Sequence, residues 1–257
     1  MSTYSKLCND VVDFNGKNSY NRGGRKITKI TIHHMAGKLG AVACAKMHLS
    51  RNSCSANYYI GNDGKICGGV REEDGAWTSS NSINDKSAIT IEVSNCVNSG
   101  EDAMWPISAA AYNSLILLCA DICDRYGILP VYDGTKNGAM TEHRMFAATV
   151  CPGPTIHNAL INGQIPNDIL VSMKNKTSVQ ETNTNVSPVF ADTKTSVPFM
   201  VRVRNFIDIY KDASMKSARV TVCPPGIYTI VEEKNGWGKL KSGKGYIDLH
   251  YTEKYVK

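Results

Sequence analysis

Long apolar runs are missing from this chain of 257 residues. No window approaches the roughly 18 consecutive apolar residues that a membrane-spanning helix needs. The opening stretch, MSTYSKLCNDVVDF, lacks the apolar core of a secretory signal. The expectation is a soluble product of the cytoplasm, unless another system exports it. A regular cysteine framework is missing too. The nine Cys are odd in number and unevenly spaced, so reduced thiols are expected rather than a disulfide scaffold. Cys119 and Cys123 lie four apart in a helical pattern and are expected on one buried face. Cys44, Cys67 and Cys96 read as small buried apolar residues. Nor is there an extreme of charge. The net charge is +6, with 42% hydrophobic and 20% charged residues, which is ordinary for a globular protein. The excess is uneven: residues 166–257 hold 14 Lys and Arg against 9 Asp and Glu. That suits an anionic partner, and equally a merely soluble surface.

The length allows one full domain and a second small one. Residues 1–24 are polar and turn-rich and are expected to wrap the first domain without a regular element. Ile27, Ile30 and Ile32 read as a buried strand ending at His33 and His34. LGAVACAKMHL (39–49) has helical spacing. ANYYIG and NDGKICGGV form a hairpin joined by Asp63-Gly64. SAITIEVSN (87–95) alternates as a strand, with Ile89, Ile91 and Val93 on one face and Thr90, Glu92 and Ser94 on the other. Residues 108–127 are the clearest helix, capped by Ser108 and ended by Gly127, with an apolar stripe of Leu115, Leu118, Cys119, Ile122 and Tyr126. TIHNALINGQI reads as a last short helix. From 168 the composition shifts to Thr, Ser, Asn and Lys, which predicts a linker over 168–196. Short strand-like runs then follow at turn-punctuated intervals, which predicts a small antiparallel barrel over 197–257.

The chemistry concentrates in TEHRMFAATVCPGP (141–154). His143 and Cys151 are eight apart, and imidazole nitrogen and thiolate sulfur are the donors zinc prefers. A third donor is available about 110 residues earlier, at the strand end carrying His33 and His34. Three protein ligands would leave a fourth position for water, which distinguishes a catalytic zinc from a closed structural one. Adjacent strand residues point to opposite faces, so only one of His33 and His34 can face the ion.

ITIHHMAG, SANYYIGNDGKI, AITIEVSN and EHRMFAATVCPGP stand in the order and spacing of the zinc N-acetylmuramoyl-L-alanine amidases, which include amidase-type phage lysozymes and peptidoglycan recognition proteins. The resemblance covers about residues 25 to 160. It implies an α/β fold, a mixed sheet flanked by helices, over residues 1–167, with zinc in a groove. It also implies hydrolysis of the bond between the lactyl group of N-acetylmuramic acid and L-alanine. The implied ligands are His33, His143 and Cys151, with His34 lining the groove. Glu92 matches a catalytic Glu in one branch of the family. It is either a general base and acid or a carboxylate that orients a ligating His. Two positions depart from the phage-lysozyme branch. Ala56 stands near where that branch has a Tyr, and Thr149 stands two before Cys151, where it has a Lys. Thr149 remains able to donate to a developing oxyanion. Trp77 is expected to line the groove or pack beneath it. His48, His157 and His250 read as surface or packing residues rather than ligands.

The C-terminal run GIYTIVEEKNGWGKLKSGKGYIDLHY is similar to the bacterial SH3-like domains that target wall hydrolases. Trp237, Tyr246 and Tyr228 form an aromatic binding face, or else Trp237 and Tyr228 fill the small core. The resemblances together imply a phage endolysin with zinc as cofactor and bacterial peptidoglycan as partner, and neither nucleic acid nor a membrane. Two rival readings are a peptidoglycan receptor without catalysis, and a thiol protease using Cys151 and His143.

Overall fold

The computed structural model describes residues 4–180, 197–203, 207–214, 217–223, 226–249 and 252–255. The chain divides into two compact units, Met1–Glu181 and Thr182–Lys257. Among the described residues, no helix is long and apolar enough to cross a membrane.

The first unit runs β1 (Asp10–Val11), β2 (Ser19–Asn21), β3 (Lys29–His34), α1 (Ala41–Ser50), β4 (Tyr58–Ile60), β5 (Ile66–Gly68), β6 (Asp74–Ala76), α2 (Ser82–Asp85), β7 (Ala88–Val93), α3 (Ala109–Tyr126), β8 (Met140–Glu142), α4 (Pro154–Ile161) and α5 (Gln164–Gln180). Six strands form one mixed sheet in the order β1-β5-β4-β7-β3-β8. The central pairs β4–β7, β7–β3 and β3–β8 are parallel, and the β4–β5 hairpin is antiparallel. Every residue of β7 is buried, as parallel strands covered on both faces require. One face carries Ile30, Ile32, Ile89, Ile91, Val93 and Met140 into a core with Leu115, Leu118 and Ile122 of α3. The other face packs under α1 through Tyr59, Cys44 and Ala45. Its centre is polar and hydrogen-bonded: Thr31 and Thr141 hydroxyls meet at 2.9 Å, Asn84 donates to Thr31 at 3.0 Å, and Thr90 N–H donates to Asn57 at 3.0 Å. The alternation in 87–95 is therefore real, but its polar face is interior.

α3 starts with Ser108 accepting from Ala111 N and ends at Gly127 in left-handed geometry, φ 64°, which costs glycine little. All nine cysteines are free, and Cys119 and Cys123 are both buried on α3. Two expectations are corrected. Residues 1–24 contain β1, parallel to β5, and β2, which pairs with β6. Residues 168–180, read as the start of a linker, belong to α5. Its Ile165 and Ile169 are fully buried and Met173 packs against the same core, while Tyr112 OH donates to Asp168 at 2.6 Å. The rest of the expected linker, 182–196, lies outside the described residues.

A buried ion pair ties α3 to the loop before β6. Glu72 is 1% exposed; it accepts from Arg125 Nη2 at 2.7 Å and from Tyr126 OH at 2.6 Å, and also from Tyr58 OH. Arg125→Ala would leave this carboxylate buried beside two phenols alone. A loss of about 3–5 kcal/mol is expected, read as a lower urea midpoint at unchanged slope.

The second unit contains β9 (Phe199–Val203), β10 (Ile207–Tyr210), β11 (Arg219–Cys223), β12 (Gly226–Lys234), β13 (Trp237–Leu240), β14 (Tyr246–Asp248) and β15 (Glu253–Tyr255). They form one antiparallel sheet in the order β11-β10-β14-β13-β12-β9-β15. Each expected strand-like run forms a strand. Asn235 and Gly236, at φ 51° and 78°, make the tight turn between β12 and β13, where both central residues need positive φ. Val201, Val203, Ile209, Ile230, Leu240 and Ile247 are the centre of its core. The three aromatics separate. Tyr228 packs against that core, Trp237 stands edge-on to Tyr210 at 5.5 Å, and Tyr246 OH donates to Glu232 at 2.9 Å. His250 lies outside the described residues.

Candidate metal centre

Parallel strands end together, so the C-terminal ends of β3, β7 and β8 bring distant residues to one edge of the sheet. β3 delivers His33 and His34. After β8 the chain makes one tight turn, His143–Met145, and a loop returns Cys151. That loop is fastened by Arg144 N–H to Cys151 O at 3.1 Å and by Cys151 N–H to Thr149 Oγ1 at 3.2 Å.

One donor atom from each of His33, His143 and Cys151 lies within 4.8 Å of the others. The His33 and His143 rings are 4.6 Å apart, and Cys151 Sγ is 3.7 Å from His33 Nδ1. The Nε2 atoms of His33 and His143 are buried and have no hydrogen-bond partner. The ring nitrogen that His33 turns toward Cys151 is Nδ1, and a cation among the three converging donors would be held there. The residue types fit a tetrahedral N,N,S zinc site with one open position. Burial holds the His33 imidazole well below its ordinary pKa, with the neighbouring His143 adding to this, and burial also lowers His143. Both rings are thus neutral and able to bind a metal. Burial pushes the Cys151 thiol well up, with the charge of Glu92 adding to this. The His34 backbone N–H donates to Cys151 Sγ at 3.4 Å, which favours the thiolate.

His34 takes no part in the donor group. Its ring stands at 90° to Trp105, 4.8 Å away. Glu92 sits on β7 in register with both His33 on β3 and Tyr59 on β4, so these three side chains share a face. Glu92 is 8% exposed, its Oε2 has no partner, and burial raises its pKa to about 8. Thr149 is half-buried at the loop, its oxygen engaged by Cys151 N–H.

Two supports were not expected. Glu142, buried next to His143, accepts from Tyr132 OH at 2.8 Å and faces His157 Nδ1 at 2.8 Å, so His157 braces α4 against β8. Trp105 holds a left-handed backbone, φ 51°, which is uncommon for a bulky residue. It is anchored by Asn95 Nδ2 donating to its carbonyl at 3.0 Å. Gly153 lies so close that a Cβ there would stand 2.7 Å from Trp105 Cβ, at φ 84°. No periodicity signals this contact; the Gly between two prolines was its only trace. Gly153→Ala should therefore cost about 1–3 kcal/mol and displace Cys151, seen as a weaker zinc affinity in a titration. His48, by contrast, is occupied by Tyr59 OH at 3.1 Å, and Trp77 packs against Tyr20 at 5.7 Å.

The N-acetylmuramoyl-L-alanine amidase family model matches residues 23–154, about half of the chain, and the chain belongs to that family. Family membership supports peptidoglycan hydrolysis as its activity. Among solved structures, the hydrolase AmiA of Staphylococcus aureus in complex with its ligand is 17% identical, with a TM-score of 0.52 over 66% of this chain and 84% of that one. PlyL is 18% identical, TM-score 0.47, over 63% and 95%. The endolysin amidase LysCS of Clostridium intestinale is 18% identical, TM-score 0.42, over 59% and 90%. At such identities the AmiA likeness speaks for the fold of the first unit alone. No curated protein sequence matches the chain.

Proposed function

We propose that the first unit is a zinc-dependent amidase that cleaves between the lactyl group of N-acetylmuramic acid and L-alanine. The observation that carries this is the convergence of one donor atom each from His33, His143 and Cys151 within 4.8 Å, with the partnerless Glu92 Oε2 on the same face as His33. Zinc held by those three residues supplies Lewis acidity to the scissile carbonyl and the attacking water. Glu92 Oε2 takes the proton of that water and passes it to the departing alanine nitrogen, and its raised pKa suits both transfers near neutrality. Thr149 Oγ1 accepts from Cys151 N–H and keeps its own proton free to donate toward a developing oxyanion. Trp105 and His34 wall the site on one side.

We further propose that the second unit is an SH3-like wall-binding module and the whole chain a phage endolysin that acts on the wall after release. A tethered binder raises the concentration of the catalytic unit at an insoluble polymer. The first test is digestion of purified peptidoglycan, reading new amino termini and reducing sugars together. New L-alanine amino termini without reducing ends are expected. Reducing ends would mean glycan cleavage and sink the reading; binding without cleavage would make the first unit a receptor.

A further inference from the structure

The opposite end of the sheet carries a second concave site. β3 begins at Lys29, so residues near Ile27 lie about 20 Å along the strand from His33. A cleft of about 600 Å³ opens there, lined among others by Arg22, Arg25, Lys26, Glu73, Arg125 and Tyr126. That volume is in the range of small-molecule sites.

Arg22 is its unusual member. It is 5% exposed, yet no carboxylate pairs with it among the described residues. Its Nε donates to Glu72 O at 2.8 Å, Nη1 to Asp85 O at 3.1 Å and Nη2 to Ala88 O at 2.9 Å. A guanidinium has five N–H donors, so two remain unused. Its hydrogen bonds go to carbonyls alone, and burial lowers its pKa to about 10 although Tyr126, Asp74, Glu72 and Asp85 lie near enough to oppose that. Of the acids nearby, Glu72 is already held by Arg125, Tyr58 and Tyr126. Glu73 is exposed and is the one lining carboxylate left to set against Arg22, Arg25 and Lys26, the last two also exposed.

We propose that this cleft binds a phosphodiester of a phosphate-bearing wall polymer, with Arg22 offering its remaining N–H groups and Arg25 and Lys26 reaching the phosphate oxygens from the rim. The planar fork of arginine matches phosphate geometry, and three cations in one cleft exceed what a single peptide carboxylate needs. A polymer held here lies on the same unit as the metal donors but at the other end of the strands, so wall binding and cleavage need not compete. That the phosphate belongs to the wall rests on the amidase reading; the anion site does not.

The test is calorimetric titration of the full, zinc-loaded chain with inorganic phosphate and with a glycerol-phosphate oligomer, at low and high salt. The Arg25→Ala/Lys26→Ala variant changes only exposed side chains. It should bind the oligomer about tenfold or more weakly, with a shallower salt dependence. Its activity on peptidoglycan stripped of polymer should be unchanged, while activity on intact walls falls. Arg22→Gln, shown folded by a cooperative melt, should lose binding of both probes. Wild-type affinity in the double variant would overturn the site. Binding of inorganic phosphate but not the oligomer, or a DNA oligonucleotide of equal charge binding as tightly, would overturn the wall polymer as occupant. Failure of the amidase reading shows separately, as wild-type protein that binds the oligomer but releases no amino termini from stripped walls.

Discussion

Removing the metal should abolish the reaction and expose the fold's dependence on it. With a zinc chelator, amidase activity should fall by about a thousandfold or more, since Lewis-acid stabilisation is worth several kcal/mol at roughly 1.4 kcal/mol per decade. Added zinc should restore it. Cys151→Ser should show the same loss without chelator, because an alcohol is a poor substitute for thiolate among two imidazoles. His34→Ala should keep one zinc per chain by atomic absorption, since that ring packs on Trp105 outside the donor group. Loss of zinc in His34→Ala with retention in His33→Ala would reverse the assignment. The metal should also stabilise: at about a thousand times Kd the gain is roughly 4 kcal/mol. Zinc affinity should rise with pH, about tenfold per unit, because His33 and His143 are already neutral while the Cys151 thiol, pushed up by burial, must give up its proton. An affinity that does not change with pH would mean that Cys151 is not a ligand.

How much of this could be read from the residues depends on the range of the forces involved. β3, the β4–β5 hairpin, β7 and α3 are local patterns, and each lies within a few residues of its expected place. α5 was hidden because its buried face needs only Ile165, Ile169 and Met173, one residue per turn in an otherwise polar run that reads as linker. β1 and β2 are two and three residues long and exist only because β5 and β6 offer them edges. The alternation in β7 reports polarity, not burial; inside, Thr90 pairs with Asn57 and Thr31 with Asn84 and Thr141. His33, His143 and Cys151 were legible from residue type and motif order, and the parallel register that brings them together is a property of the whole sheet. Trp105 and Arg22 were not legible at all. The close approach of Gly153 to Trp105 and the carbonyls that hold Arg22 are contacts more than forty residues away in sequence.

Glu92→Gln should lower turnover by about 10²–10⁴-fold while zinc stays bound. The amide keeps the shape and a hydrogen bond but cannot accept the water's proton. If Glu92 merely oriented His33, Gln would preserve most activity and the loss would appear in zinc affinity instead. The same substitution should change stability in a direction fixed by burial. In the metal-free protein the folded carboxyl titrates near 8, above its unfolded value of 4.5. Below pH 4.5 both folded and unfolded chains are protonated, and wild type and variant should be about equally stable. Between 4.5 and 8 the unfolded chain releases its proton and the folded one holds it, so wild type loses stability as pH rises. Above 8 the penalty is complete. Glu92→Gln is free of it, so the chelated variant should become more stable than the chelated wild type by a few kcal/mol at pH 8, at roughly 1.4 kcal/mol per pKa unit. Zinc should shrink that gap, because a nearby cation favours the carboxylate. A gap that is flat with pH would show Glu92 ionised and solvated in the folded state, and the general-base role would lose its physical basis.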